Sequence, residues 1–305
     1  MKEGAIMKIV SVDVMRLKTE GAGPVRPIVC RIHTDTGLYG VGEAGVAIVS
    51  GAMAAYELLK DYARVIIGMD PLHHEVIWEK LYKDTFWAQG NGPIIMAAIS
   101  AIDTALWDIK GKALNTPIYN LLGGKCRDRL KVYCWIGGDR PSDIAAEVLK
   151  KQREGYSAVK MNASEEMHYI DSFKKIDAVL SRARAIREAV GMNMEFAIDF
   201  HGRIHKSMAK ALAKELEPYH PMFIEEPVLS ENIEALRDIA NATSTPIATG
   251  ERMFSRWDFK KILTEGYVDI IQPDLSHAGG ISECRKIAAM AGLCLLYTSP
   301  SPRDS

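Results

Sequence analysis

The length, composition and charge of the chain exclude several classes of protein. Its 305 residues are enough for two domains, or for one barrel with an additional domain, since a domain commonly takes roughly 100 to 200 residues. With 48% hydrophobic and 25% charged residues, the chain is neither disordered, collagen-like nor a coiled coil. Because 38 Lys and Arg face 39 Asp and Glu, no excess charge favours nucleic acid or an anionic membrane, and we expect a small-molecule partner.

The cysteines and the apolar runs predict a soluble, cytoplasmic chain. The five cysteines are far apart and form no Cys-x-x-Cys pair, which is typical of reduced thiols. Residues 1–14 alternate polar and apolar positions and lack the continuous apolar segment of a signal peptide. The longest apolar run, 93–102, is shorter than the ~20 residues of a membrane helix. Either Met1 or Met7 can be the true start.

The first part of the chain has the order of an α+β domain. Alternating polar and apolar residues predict strands at 8–18, 28–33 and 37–43. Apolar residues at helical spacing predict helices at 52–67, 73–87 and 94–113. Because a run of strands followed by helices is typical of an α+β unit, we expect such a domain over 7–128.

From Leu130 onward the pattern changes to a repeat of short apolar strand, loop and amphipathic helix. The predicted strands are 132–136, 158–161, 194–199, 222–225, 247–251 and 268–272. The predicted helices include 145–153, 176–190, 208–216 and 256–266. Six such units predict a parallel α/β sheet, and the lack of a G-x-G-x-x-G loop after the first strand argues against a dinucleotide-binding fold. We therefore expect a partial (β/α) barrel over 129–293.

The last twelve residues look foreign to this pattern. Residues 294–304 read CLLYTSPSPRD, which matches in one frame the translation of a transposon-type sequencing adapter. The helical pattern before them breaks off at Leu293. We expect a non-native tail at 294–305 and a barrel truncated after its sixth βα unit, with an ordinary disordered Ser/Pro-rich tail as the alternative.

Three predicted strands of the second domain end in acidic residues, namely Asp199, Glu225 and Glu251, each one strand–helix unit after the last. Since the C-terminal ends of barrel strands meet on one face, we expect the three carboxylates at the same height around one point. Unpaired, they would repel one another, and a hard divalent cation such as Mg²⁺ resolves this. Taken singly, each acid can instead be a solvated loop carboxylate.

Three more polar residues stand at strand ends. His201 follows Asp199 by two residues, so both side chains lie on one side of the chain and His201 is a candidate general acid or base. Lys160 can stabilise a carboxylate or act as a base. Asp274 is either a helix-capping residue or a residue that orients a histidine.

Several motifs in order along the chain resemble one known family. They are DFHGR at 199–203, FIEEP at 223–227, TGERMFSR at 249–256 and QPDLSHAGG at 272–280. Together they resemble the enolase superfamily, mandelate racemase subgroup, and within it most closely the D-galactonate dehydratases. The likeness covers about 8–293. It implies an α+β capping domain followed by a (β/α)7β barrel, a modified TIM barrel.

The resemblance also implies residue roles in a lyase of carbohydrate catabolism. Asp199, Glu225 and Glu251 would hold one Mg²⁺ per subunit, which binds the carboxylate of a sugar acid and stabilises the charge left when the adjacent proton is removed. His201 would protonate the departing 3-hydroxyl, and Lys160 can stabilise a carboxylate. Asp274 would orient a histidine base on a seventh strand. The product would be 2-dehydro-3-deoxy-D-galactonate, and a homo-oligomer is expected.

Two departures from the family pattern qualify this interpretation. The pattern ends near Leu293, before the base histidine, so we expect the 305-residue chain itself to be inactive. Asn162 stands where racemases of the subgroup carry a lysine base. This difference argues against the interpretation that the protein is a racemase with two catalytic bases. The alternatives are a dehydratase of another aldonate or uronate, such as gluconate or mannonate, and a non-catalytic barrel that binds a sugar acid. We expect loops near 21–26 and 86–92 to contribute to sugar specificity.

Overall fold

The computed structural model describes residues 6–18, 26–46, 50–163, 168, 171–294 and 297–298. Most of the predicted specificity loop at 21–26 and most of the predicted tail at 294–305 lie outside these residues. The contacts divide the chain into two units. The first contains Met1–Cys126, Glu251–Lys260 and Pro273–Met290, and the second contains Arg127–Gly250, Lys261–Gln272 and Ala291–Ser305. The domain limits expected at 128/129 and 293/294 remain predictions.

The first unit begins with a three-stranded antiparallel sheet. Its strands are β1 (Ile9–Arg16), β2 (Ile28–Thr34) and β3 (Tyr39–Ala44). The central strand β2 alternates buried and partly buried residues, and Ile28, Cys30 and Ile32 are fully buried. Since successive strand residues point to opposite faces, this alternation places one face of the sheet in the core. The three strands are confirmed, with ends shifted by a few residues.

Four helices follow in the first unit. They are α1 (Ala52–Ile66), α2 (His74–Lys83), α3 (Pro93–Ala113) and α4 (Ile118–Leu121). The helix predicted at 73–87 ends at Lys83, and it cannot reach 87 because Phe86 has a φ of 51°, which an α-helix does not accommodate. A 3₁₀ turn, Trp87–Gly90, leads from there to α3. Helix α3 packs so closely on β3 that a Cβ at Gly40 or Gly42 would overlap helix carbonyl groups.

The second unit is built on a parallel sheet. Its strands are β4 (Cys134–Trp135), β5 (Ala158–Asn162), β6 (Glu195–Asp199), β7 (Ile224–Glu225), β8 (Ile247–Thr249), β9 (Ile270–Ile271) and β10 (Tyr297–Thr298). Spatial order follows chain order, and neighbouring strands pair in parallel. Sequential parallel strands joined by helices are the pattern of a (β/α) barrel, so the predicted α/β class is confirmed.

Helices connect the strands of this sheet. They are α5 (Pro141–Arg153), α6 (Phe173–Val190), α7 (Lys206–Leu216), α8 (Ile233–Ala240), α9 (Arg256–Glu265) and α10 (Gly280–Leu293), with 3₁₀ turns at Glu217–Tyr219 and Ser230–Asn232. The two-residue strand β10 was not expected, because the sequence pattern stops after six units. It forms where the edge of β9 offers unpaired backbone groups. None of the described helices is long and apolar enough to cross a membrane.

A buried carboxyl group links helices α3 and α10 in the first unit. Asp103 is 2% exposed and accepts hydrogen bonds from the backbone N and Oγ of Ser282, at 2.9 and 2.6 Å. The indole of Trp107 donates to the same Oγ at 2.9 Å. Burial raises the pKa of Asp103 to about 7, although the bonds from Ser282 act in the opposite direction.

We expect Asp103 to make the stability of the chain depend on pH. Between its ordinary pKa of 3.8 and about 7, the unfolded chain has lost this proton while the folded chain keeps it. The free energy of unfolding therefore falls as pH rises through that window, by roughly 4 kcal/mol for the full shift. Asp103→Asn, which cannot ionise, should flatten this slope in urea unfolding series. The exposed Asp61→Asn on α1 is the control, and equal slopes for both variants and the parent would contradict the prediction.

Candidate functional site

Polar residues form one row across the C-terminal ends of three adjacent strands. Asn162 on β5 is the cross-strand partner of Asp199 on β6, and Asp199 is in turn the partner of Glu225 on β7. The register continues to Ala248 on β8. The expected equal height is therefore observed for Asp199 and Glu225. Glu251 lies three residues beyond Ala248 in the chain.

An apolar cluster lies one layer below this row. Ala197, Phe223 and Ala248 are buried together, and Tyr133 packs against them with its ring 5.8 Å from that of Phe223. Because alternate residues of a strand share a face, Ala197 precedes Asp199 and Phe223 precedes Glu225 on the same side of the sheet. The carboxylates thus lie directly above an apolar layer, where charges interact more strongly than in water.

Lys160 joins the two carboxylates. Its Nζ donates to Oδ2 of Asp199 at 2.9 Å and to Oε2 of Glu225 at 2.7 Å. Asp199 is 1% and Glu225 3% exposed, and the lysine side chain is 15% exposed. The sequence placed Lys160 at a strand end but did not indicate which carboxylates it contacts.

The charges in this group do not balance. Burial works against the ammonium of Lys160, but Glu225 and Asp199 outweigh it and raise the pKa of the lysine. Burial, together with the charge of Asp199, also raises the pKa of Glu225, while Lys160 and Gln272 pull it back. Two buried carboxylates share one ammonium, so one negative charge is left without a counter-charge within this trio. Such an arrangement favours a cation.

Two residues of this site were not predicted. The side chain of Gln272, directly after β9, hydrogen-bonds to both Glu225 and Tyr133. Its Oε1 is buried and has no hydrogen-bond partner within the described parts of the chain. The Tyr133 ring lies 5.7 Å from Nζ of Lys160, and burial raises the pKa of its hydroxyl. The position of Gln272, a polar residue directly after an apolar strand, could have indicated that it belongs to the site. Tyr133 could not have been identified in this way, because an aromatic residue in a predicted strand indicates the hydrophobic core.

His201 lies beside Asp199. Its Nε2 is 3.1 Å from Oδ2 of Asp199, and its backbone N donates to Oδ1 at 2.8 Å. The backbone at His201 is left-handed, with a φ of 50°, which is uncommon for a residue with a side chain. Such strained conformations cluster at functional sites. Asp199 and His201 both offer atoms that can ligate a metal ion.

The remaining predicted residues belong to the first unit. Glu251 follows Gly250, whose φ of 144° and close approach to the backbone of Gln272 leave no room for a side chain. Asp274 is half-exposed, and its Oδ1 accepts hydrogen bonds from the N and Oγ of Ser276 at 2.7 and 2.6 Å. These bonds place Asp274 at the start of the turn that follows β9, and its two predicted roles both remain predictions.

Family models match most of the chain. Residues 8–123 match the N-terminal domain of the mandelate racemase / muconate lactonizing enzyme family, and residues 143–294 match the enolase C-terminal domain-like family. The chain belongs to the enolase superfamily.

Similar proteins in this superfamily carry names of sugar-acid enzymes. A D-galactonate dehydratase of Pectobacterium atrosepticum is 50% identical over 289 residues, which cover 93% of this chain and 72% of that protein. A D-galactonate dehydratase of Ralstonia pickettii is 48% identical with the same coverage. These relatives span both units of the chain, so the similarity is not confined to one motif.

Solved structures of the superfamily share the fold. A member from Salmonella Typhimurium has a TM-score of 0.92 at 36% identity, covering 96% of this chain and 80% of that one. The 3,6-anhydro-D-galactonate cycloisomerase of Zobellia galactanivorans has a TM-score of 0.86 at 30% identity, covering 95% and 79%. Since the latter carries the name of a different reaction, the fold alone does not decide the chemistry.

We expect Lys160→Met to destabilise the chain more at high pH than at low pH. The change leaves Asp199 and Glu225 buried without their shared counter-charge, which typically costs about 3–5 kcal/mol. Because the pKa of Glu225 is already raised, protonation should relieve part of this cost at low pH. Urea unfolding at about pH 5 and pH 8, with a chelator present to remove metal ions, measures the loss in free energy of unfolding at each pH. Lys150→Met, at an exposed ion pair with Glu147, is the control, and a pH-independent loss would contradict this account.

Proposed function

We propose that this protein catalyses the Mg²⁺-dependent dehydration of D-galactonate to 2-dehydro-3-deoxy-D-galactonate, as a hydro-lyase of carbohydrate catabolism. The observation that carries the proposal is the pair of buried carboxylates on adjacent strands with His201 beside one of them. The names of relatives at 46–50% identity support the substrate.

The residues present fit a magnesium ion. Asp199, Glu225 and Glu251 would supply the oxygen donors that Mg²⁺ prefers, with Glu251 assigned from its position two residues after β8. The three carboxylates outnumber the ammonium of Lys160, and a divalent cation would reduce this excess of negative charge. Oε1 of Gln272, which has no hydrogen-bond partner among the residues that the structure describes, is a further oxygen beside Glu225. When bound, Mg²⁺ would stabilise the negative charge that develops on the carboxylate of the substrate.

His201 would act as the general acid. Dehydration removes the proton α to the carboxylate and expels the 3-hydroxyl as water, which requires a proton delivered to that oxygen. Nε2 of His201 lies 3.1 Å from Oδ2 of Asp199, which holds the imidazole beside the carboxylates. The enol that remains then tautomerises to the 2-keto acid. Lys160 would limit repulsion between the two carboxylates and the anionic substrate.

Asp274 would orient the histidine that removes the α proton. Its Oδ1 accepts from Ser276, and its Oδ2 lies 3.6 Å from Nδ1 of His277 on a half-exposed carboxylate that has room for a further hydrogen bond. Neither residue of β10, Tyr297 or Thr298, is a histidine. We assign this base to no residue of the chain. The partner is a small sugar acid, and we propose a cytoplasmic homo-oligomer.

We expect Glu225→Gln to weaken Mg²⁺ binding and turnover together, whereas His201→Asn should abolish turnover and leave Mg²⁺ binding within about threefold. Loss of a general acid typically costs about 10² to 10⁴ in rate. Calorimetric titration with MgCl₂ and release of the 2-keto acid measure the two effects, with turnover assayed on the protein expressed from the complete gene. Sugar-acid binding without turnover in the parent would favour the non-catalytic barrel instead.

We expect D-galactonate to be turned over in preference to D-gluconate and D-mannonate. A site that hydrogen-bonds a substrate hydroxyl disfavours an epimer, because the buried polar groups are left unpaired. The measurement is kcat/KM for each acid at saturating Mg²⁺. An equal or higher value for gluconate or mannonate would reassign the substrate while leaving the dehydration chemistry in place.

A further inference from the structure

The turn after β9 is held by the capping sheet of the first unit. Asp274 accepts hydrogen bonds from the backbone N and the Oγ of Ser276. The carbonyl of Ser276 in turn accepts a hydrogen bond from the backbone N of Gly45 at 2.8 Å. Gly45 follows β3 directly. A Cβ at this position would overlap Oγ of Ser276 and lie 3.1 Å from Nδ1 of His277, so the close approach requires glycine.

The far side of the same turn is fixed by helices of the first unit. The indole of Trp78 on α2 donates to the carbonyl of Gly279 at 2.9 Å. The backbone N of Gly279 donates to Oγ of Ser100 on α3 at 2.8 Å. Asp103 holds Ser282, at the start of α10, by two further buried hydrogen bonds. The segment is therefore held at Ser276, Gly279 and Ser282. The residue between these anchors, His277, is therefore presented in a defined position.

His277 connects this turn to Glu251. The side chain is buried, and its Nε2 lies 2.6 Å from the backbone carbonyl of Glu251. A carbonyl oxygen only accepts, so Nε2 carries the hydrogen. Nδ1 lies 3.6 Å from Oδ2 of Asp274, and the ring of Phe254 meets the imidazole edge-on at 5.8 Å. The imidazole is thus held on two sides, and one nitrogen faces the residue proposed as a metal ligand.

We propose that His277 is a positioning residue that fixes the backbone of Glu251 and so sets the affinity of the site for Mg²⁺. This inference rests on the proposed role of Glu251 as a ligand. Groups that hydrogen-bond to a ligand residue typically change metal affinity by about 10- to 100-fold when they are removed. Because Glu251 follows a glycine with a φ of 144°, its backbone needs such a restraint more than a residue inside a strand does.

Two amide substitutions separate the two nitrogens of His277. The amide nitrogen of Gln occupies the place of Nε2, so His277→Gln keeps a donor to the Glu251 carbonyl. Asn reaches only as far as Nδ1, so His277→Asn loses that donor while both variants are uncharged and polar. The probe is MgCl₂ alone, titrated calorimetrically into the 305-residue protein. The same two substitutions at exposed His73, before α2, are the control.

We expect His277→Gln to bind Mg²⁺ within about threefold of the parent and His277→Asn to bind about tenfold or more weakly. Equal affinities for the parent, the Gln variant and the Asn variant would overturn the inference while leaving the magnesium site intact. Equal weakening by Gln and Asn would also overturn it. If the parent itself binds no Mg²⁺, the proposed function fails first, and the inference fails with it.

A further variant tests the other end of the connection and covers the case in which His277→Asn does not fold. Gly45→Ala should displace Ser276 and His277 and weaken Mg²⁺ binding by about tenfold. The variants of exposed His73 serve again as the control. Circular dichroism verifies that each variant is folded. Parent-like Mg²⁺ affinity in a folded Gly45→Ala protein would contradict the proposed connection.

Discussion

The site depends on burying two neighbouring carboxylates that share the ammonium of Lys160. Asp199 and Glu225 are nearly inaccessible to water and share one ammonium, that of Lys160. Burying an unpaired charge costs several kcal/mol, so this part of the barrel is stable only with a cation close by or with a proton on one carboxylate. The raised pKa of Glu225 shows that a proton on this carboxylate is one way to reduce the charge. A bound divalent cation is the other, and the proposed chemistry uses that cation.

The parallel sheet makes this arrangement possible. Strands in parallel register bring the last residues of β6 and β7 side by side, while the apolar residues one layer below exclude water. The chain then has to leave the strands abruptly, and it does so through left-handed backbone at His201 and through Gly250. These left-handed turns are unfavourable conformations of the backbone, and the packing of the sheet beneath them offsets that cost. Asp199 and Glu225 therefore lie at the last residues of strands rather than on loops.

Within the first unit, a series of hydrogen bonds supports Glu251. Asp103, Ser100 and Trp78 hold the turn that carries His277, and His277 holds the carbonyl of Glu251. Most of these bonds join residues that are far apart in the chain, so folding of the capping segment and geometry at Glu251 are coupled. This coupling explains why contacts group Glu251–Lys260 and Pro273–Met290 with Met1–Cys126, although the pattern of strands assigns them to the barrel.

The sequence by itself determined the class of fold, the order of the strands and the strand-end acids, because periodicity and the motifs DFHGR, FIEEP and QPD are local in the chain. It also indicated His201, because the spacing of two residues from Asp199 predicts the same side of the chain, although the strand ends at Asp199 and a left-handed turn brings the imidazole there. Only the tertiary structure decided that Lys160 contacts two carboxylates, that Gln272 and Tyr133 join them, that His277 reaches Glu251 and that β10 pairs with β9. Those contacts depend on strand register and side-chain rotamers, which bring together residues whose separation in the chain carries no periodic signal.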